Sequence, residues 1–294
     1  MRIYEMKHYK WKSRTDLALE ITENLEETEL EDGVSIQINY NYNHKIKETI
    51  IKILNEEGEK TIGKPKGSYI TIEGEDLSDP DDSYHKEMSL ILSKRLKLML
   101  KDYNHIFVAG LGNEQITSDS LGPKVVNNLF VTRHLMKANL IEKARVVSSL
   151  VPGVMGKTGI EAVEIICGII KEIKPDVVLV IDALAARNVQ RLNKTIQICD
   201  TGISPGSGVG NHRKEISKKT LGIDVIAVGV PTVISVPTLV NDALSILNEE
   251  DEEMNLGQYM MPEIFDMYVT PKNIDEAVKK ISYTISEAIN QIVI

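Results

Sequence analysis

The chain is poor in cysteine: only Cys167 and Cys199 occur in 294 residues. That excludes a disulfide framework and any zinc site built mainly from thiolates. Both lie in apolar runs, EIICGII and TIQICDT, the setting of buried, inert thiols. Basic charge is also short, with 34 Lys+Arg against 43 Asp+Glu and a net charge of −9. Broad, sequence-blind binding to nucleic acid needs the opposite balance. No stretch reaches the ~18 apolar residues that span a bilayer, and the N-terminus lacks the apolar core of a secretory signal. The six histidines are scattered, and no cluster of His, Cys and acids has metal-ligand spacing, although folding could bring His134 near acids. Repeats and low-complexity tracts are absent.

Familiar catalytic fingerprints are missing too. Gly110-Leu111-Gly112 starts like a dinucleotide loop, but the third glycine is replaced by Gln115. The glycine-rich run 200–217 lacks the Lys-Ser/Thr ending of a phosphate loop. Pro205-Gly206-Ser207-Gly208 approaches a nucleophile elbow only loosely. Sequence alone gives this run the character of a substrate-binding or interface loop.

What is present is a 42% hydrophobic, 26% charged chain able to bury a core. Its head is basic: Arg2, Lys7, Lys10, Lys12 and Arg14 outweigh Glu5 and Asp16, giving +3 over residues 1–16 and about −12 over the rest. Such a head frays, docks on its own body, or is removed. The Glu-rich stretch 17–32 reads as a short helix or an exposed acidic segment.

VSIQINY (34–40), ETIIKIL (48–54) and the end of IGKPKGSYITIE (62–73) read as an antiparallel meander, turning at Tyr42-Asn43-His44. After a helix ending near Asp102, the pattern switches. Apolar strands at 106–110, 144–149, 177–182, 195–199 and 225–231 alternate with helices from Leu121, at 158–173, at 238–249 and at 272–292. This predicts an α/β fold: a mixed, largely parallel sheet covered by helices on both faces, plus an antiparallel β region in the N-terminal third. In such sheets, sites lie at the carboxyl ends of strands.

Two strand ends carry acids. Asp119 follows the first in the polar segment Thr117–Ser120; it is either a helix N-cap or a functional acid. Asp182 ends the run 177–181, where desolvation raises a carboxyl unless a cation compensates; Arg187 could form such an ion pair. If the two acids meet, one holds a proton while the other activates water. His212-Arg213-Lys214 reads as a solvated basic turn.

GLGN (110–113), SDSLGP (118–123), VTRH (131–134), PGVMGKTGIE (152–161), KPDVVLVIDALAAR (174–187), TIQICDTGISPGSGVGN (195–211) and LGIDVIAVGVPTV (221–233) together resemble the germination protease family of spore-forming bacteria. RTDLALE (14–20), IGKPKGSYITIE (62–73) and YVTPK (268–272) extend the resemblance over essentially the whole chain.

The resemblance implies an endopeptidase that degrades small acid-soluble, DNA-protecting spore proteins in the cytoplasm of the forespore and spore core. It implies a homotetrameric zymogen that removes its own N-terminal segment, and an aspartic-type site at Asp119 and Asp182. No cofactor, metal, membrane or direct nucleic-acid partner is expected, and the fold implied is similar to hydrogenase-maturation peptidases. Family substrates are cut after an acid that precedes an apolar-Ala-x-Glu pattern. Asp16-Leu17-Ala18-Leu19-Glu20 resembles that target, so self-cleavage is expected between Asp16 and Leu17. Residues 1–16 are then a propeptide and 17–294 a single α/β protease domain with a β-rich subdomain at 34–73. Two alternatives stay open: a metal-dependent maturation peptidase of the same fold, and a non-enzymatic α/β protein holding a ligand on loop 202–210.

Overall fold

A computed structural model describes residues 15–23, 25, 33–41, 45–74, 82–210, 213–245 and 261–293. The basic head before Thr15, the Tyr42–His44 turn, His212 and the end of the 238–249 helix lie outside the described residues. After a short helix α1 (Ala18–Thr22), strands β1 (Val34–Asn41), β2 (Ile46–Ile53) and β3 (Gly67–Glu73) form the antiparallel meander. A helix not foreseen, α2 (Glu56–Ile62), interrupts it. Its signals are local: Asn55 accepts from the Gly58 N–H at 2.9 Å, three glutamates fill the first turn, and Gly63 closes the helix in the left-handed region.

The α/β part runs α3 (Asp82–Met99), β4 (His105–Gly110), α4 (Leu121–Asn127), α5 (Arg133–Lys137), β5 (Val146–Leu150), α6 (Met155–Thr158), α7 (Ala162–Ile173), β6 (Val177–Ala186), β7 (Thr195–Cys199), α8 (Lys218–Leu221), β8 (Asp224–Ser235), α9 (Val236–Ser245), β9 (Tyr268–Val269) and α10 (Ile274–Asn290). The strands form one sheet in the order β1-β2-β3-β7-β8-β6-β4-β5, with β9 on β8. Strands β8, β6, β4 and β5 are mutually parallel. Strand β7 is antiparallel to both β3 and β8, so it splices the meander into the sheet.

Alternation along the central strands builds two cores. Ile106, Val108, Val177, Leu179 and Ile181 pack with Met88, Leu92 and Leu96 of α3, Leu121 and Val125 of α4, and Ile281 and Ile285 of α10. Phe107, Ala109, Val178 and Val180 pack on the other face with Ala18, Leu19, Val163, Ile166 and Leu221. Helices therefore cover both faces. Residue 182 continues the even-numbered series of β6, so it points to the second face, where α1 sits.

Strand β6 does not stop at Asp182. Residues 183–186 continue it, pairing with Val230–Ile234 of β8 across a bulge between Leu184 and Ala185. Asp182 thus lies inside the sheet rather than at its tip. The small side chains of Ala183, Ala185 and Ala186 let this extension pack, and a long partner strand supplies the pairing.

One polar pair is locked into the first core. Glu48 on β2 is 1% exposed. Arg95 of α3 donates to it through Nε, at 2.5 Å, and through Nη2. An Arg95→Met variant would strand that carboxylate and should lose about 3 kcal/mol. Chemical denaturation reads the loss, and Glu48→Gln in the same chain should restore most of it.

Candidate active site

The loop after β4 is drawn back onto the sheet. Leu111 N–H donates to Ile181 O at 2.8 Å, and α4 packs so closely that Gly122 leaves no room for a side chain. Thr117–Asp119 form a single 3₁₀ turn, pinned by Thr232 Oγ1 donating to Ser118 O at 2.6 Å. Asn113 N–H donates to both the Asp119 carbonyl oxygen, at 3.0 Å, and its Oδ2, at 2.9 Å. The Asp119 carboxylate is therefore not the cap of α4. The residue in that place is Ser120, which makes no side-chain cap bond.

Asp119 and Asp182 line one cavity of about 610 Å³ at this end of the sheet. Asp182 is 5% exposed, and its Oδ1 accepts the Ala183 N–H at 2.9 Å. Burial pushes its carboxyl well above the ordinary range, and the charges of Asp119 and Asp16 push it further. Burial also raises Asp119, against the Asn113 N–H, which favours its charged form. Arg187 is not the counter-ion of Asp182: its charge acts on Asp242, and its backbone N–H donates to Glu20. The cation that acts on both acids is Arg213, which lines the cavity and lowers both values. Arg213 is therefore not part of the solvated basic turn that its sequence suggests. Its neighbour Lys214 does fit that description, exposed and paired with Glu164 at 2.9 Å.

Asp16 lines the same cavity. Its N–H donates to Ala185 O at 3.1 Å, and its Oδ2 accepts the Ala185 N–H at 2.9 Å. Ser207 Oγ donates to its Oδ1 at 2.6 Å. The glycine-rich loop reaches this carboxylate because Gly208 has no side chain: a Cβ there would stand 2.3 Å from Asp16 Oδ2. Leu17 and Ala18 follow, both 0% exposed. Glu20, at 2% exposure, accepts from Arg187 N–H at 2.7 Å and Asn188 N–H at 2.9 Å, and meets Arg191 at 3.4 Å. Arg191 also binds Glu23 and Glu73. Neither Ser207 nor Arg191 carries a local signal; their partners are distant in sequence and meet them only in the fold.

His134 is exposed on α5 and does not line the cavity. Cys199 is buried, and burial raises its thiol; Cys167 is partly buried in the second core. Among the described residues, no group of three or more His, Cys, Asp or Glu is placed to hold a metal ion. Nor is any described helix long and apolar enough to cross a membrane.

Fold and site together define a class: an α/β protein whose cavity sets a buried acid and a half-buried one beside a polypeptide segment, as in a peptidase. The family model described as germination protease matches residues 14–255. The chain is 41% identical to the germination protease of Clostridium tetani (strain Massachusetts / E88), over 94% of each chain. It is 42% identical to that of Caldanaerobacter subterraneus subsp. tengcongensis, covering 94% of this chain and 93% of the relative. A [NiFe] hydrogenase maturation protease, HycI from Thermococcus kodakarensis KOD1, superposes on 66% of this chain and 98% of its own at TM-score 0.35 and 17% identity. That likeness is too slight to carry an argument. The chain belongs to the germination protease family and is a protease.

Proposed function

We propose that this protease is an aspartic-type, metal-independent endopeptidase that begins the breakdown of small acid-soluble spore proteins, and that it is made as a self-processing zymogen. The observation that carries the reading is the shared cavity: Asp16, the residue before the expected cut, lines it with Asp119 and Asp182. Asp182, the more deeply buried acid, holds the proton and polarises or protonates the substrate. Asp119 takes a proton from water. The two titrate as a pair, so the functional state is the singly protonated dyad. Membership of the germination protease family supports the spore substrate, a homotetramer and residence in the forespore.

Self-processing should yield a new N-terminus at Leu17. Timed N-terminal sequencing checks this, and a start elsewhere removes the assignment. Processing and cleavage of a small acid-soluble spore protein should proceed unchanged in excess chelator. Loss on chelation with recovery on metal addition would instead favour a metal-dependent peptidase. Activity should also fall as pH rises past the raised Asp182 value, because the acid of the pair is then lost.

A further inference from the structure

The peptide bond between Asp16 and Leu17 is held by a buried glutamine. Gln197 of β7 is 7% exposed and uses both ends of its amide on this segment. Its Nε2 donates to the Asp16 carbonyl oxygen at 3.2 Å. Its Oε1 accepts the Ala18 N–H at 2.8 Å. Those two contacts fix the amide's orientation, since a flip would set acceptor against acceptor and donor against donor. The carbonyl it touches is the one that water must attack.

Register places Gln197 opposite the acids. Gln197 pairs with Gly229 of β8, and Gly229 pairs with Asp182 of β6. Residues paired across strands share a sheet face. Strand spacing therefore sets Gln197 and Asp182 about 10 Å apart on one face. Asp16 is linked to both: its carbonyl oxygen accepts from Gln197, and its charge acts on Asp182.

We propose that Gln197 is a catalytic residue: its Nε2–H stabilises the oxyanion that forms on the scissile carbonyl, and its Oε1 fixes the peptide in register. This rests on the Asp119–Asp182 reading and adds a third group to it. Water adds to the Asp16 carbonyl carbon and its proton passes to Asp119. Negative charge gathers on the carbonyl oxygen, where a preorganised neutral donor acts best. Collapse breaks the C–N bond, and Asp182 gives its proton to the Leu17 nitrogen. The products are the Asp16 carboxyl group and the Leu17 amine. The dyad ends with one proton, as it began, and no other reactant is consumed. In incoming substrates, the same amide would bind the carbonyl of the residue before the cut.

The test is the self-cleavage rate of the full-length chain, followed by appearance of the Leu17 N-terminus, for Gln197→Met and Gln197→Glu across a pH series. Gln197→Met loses the donor and should be slower by about 10²–10³-fold at every pH, the usual effect of removing one oxyanion donor. In Gln197→Glu the new carboxyl group, when protonated, can still donate to the Asp16 oxygen and accept from Ala18. Once ionised it can only accept, and it repels the oxyanion. That variant should come within about tenfold of wild type at low pH and fall away from it as pH rises. A residue that merely supports the strand would not move the pH profile in this way. Should the Met variant fail to fold, as read by its thermal melt, the Glu variant still decides. The proposal is overturned if Gln197→Met processes at the wild-type rate, or if Gln197→Glu parallels wild type at every pH. Either result with Asp119→Asn and Asp182→Asn inactive removes only the role of Gln197. No cut at Leu17 in the wild-type chain would instead remove the underlying reading.

Discussion

Asp119→Asn and Asp182→Asn are each expected to lose self-processing and substrate cleavage by at least about 10⁴-fold, the scale seen when one member of a catalytic unit is removed. An amide can neither take a proton from water nor hand one on, so half a dyad retains only binding and carbonyl polarisation. The two variants should differ in stability. Asp182 is buried, and burial holds its carboxyl well above the ordinary value. The folded chain then binds more protons than the unfolded one between the two values. Stability from this group is fullest below the unfolded value and declines as pH rises through the folded value. Asparagine does not titrate, and its Oδ1 can still accept the Ala183 N–H. Asp182→Asn should therefore melt higher than wild type near neutrality, with the gap closing toward acid pH. Asp119 is less buried and should show a smaller gain. Thermal melts over a pH series, beside cleavage assays, check both. Full activity in Asp119→Asn would end the dyad assignment.

Gly122→Ala in helix α4 should be severely damaging for so small a substitution. Helical backbone welcomes alanine, so propensity alone predicts a gain of about 1 kcal/mol. Space predicts the opposite. The added Cβ would lie 2.3 Å from Leu111 O, 2.5 Å from Leu111 N and 2.6 Å from Ile181 O. All three are backbone atoms of the loop and strand that carry the acids, and none can swing away. Helix α4 must retreat, which parts the 3₁₀ turn of Asp119 from β6 and Asp182. We expect a loss of about 3 kcal/mol, a fall in melting temperature of about 6–12 °C, and cleavage reduced with it. A variant with wild-type melting and activity would show that the helix has slack there.

The sequence carried the strands well because period-2 and fully apolar runs are local signals. Val177–Ile181 announces a strand sandwiched between helices, and Asp182 stands out against it. The extension through Ala186 was hidden because alanine favours helix, and only pairing with β8 makes it a strand. The orientation of β7 was hidden for a similar reason: TIQIC reads the same in either direction. Helix α2 was legible in Asn55, the acidic first turn and Gly63, yet strands on either side masked it. Asp119 was ambiguous because Asp before a helix is an ordinary cap; the Asn113 contact that settles its place spans a loop. Arg213 looked solvated beside Lys214, and only the fold turns it toward the acids. Ser207, Arg191 and Gln197 owe their places to contacts with the segment around Asp16, between 168 and 191 residues away in the chain, which Arg191 joins to Glu73 of β3.

The knot at Glu20 has a mechanical meaning. Arg191 ties together Glu20, Glu23 and Glu73, while two amides of the 187–188 turn grip Glu20. This mooring lies downstream of Leu17, and the bond proposed for self-cleavage lies upstream of it. Severing the chain at that bond leaves the mooring intact. A cut there would release only what precedes it, while the four residues from Leu17 to Glu20 would stay berthed against the face of the sheet.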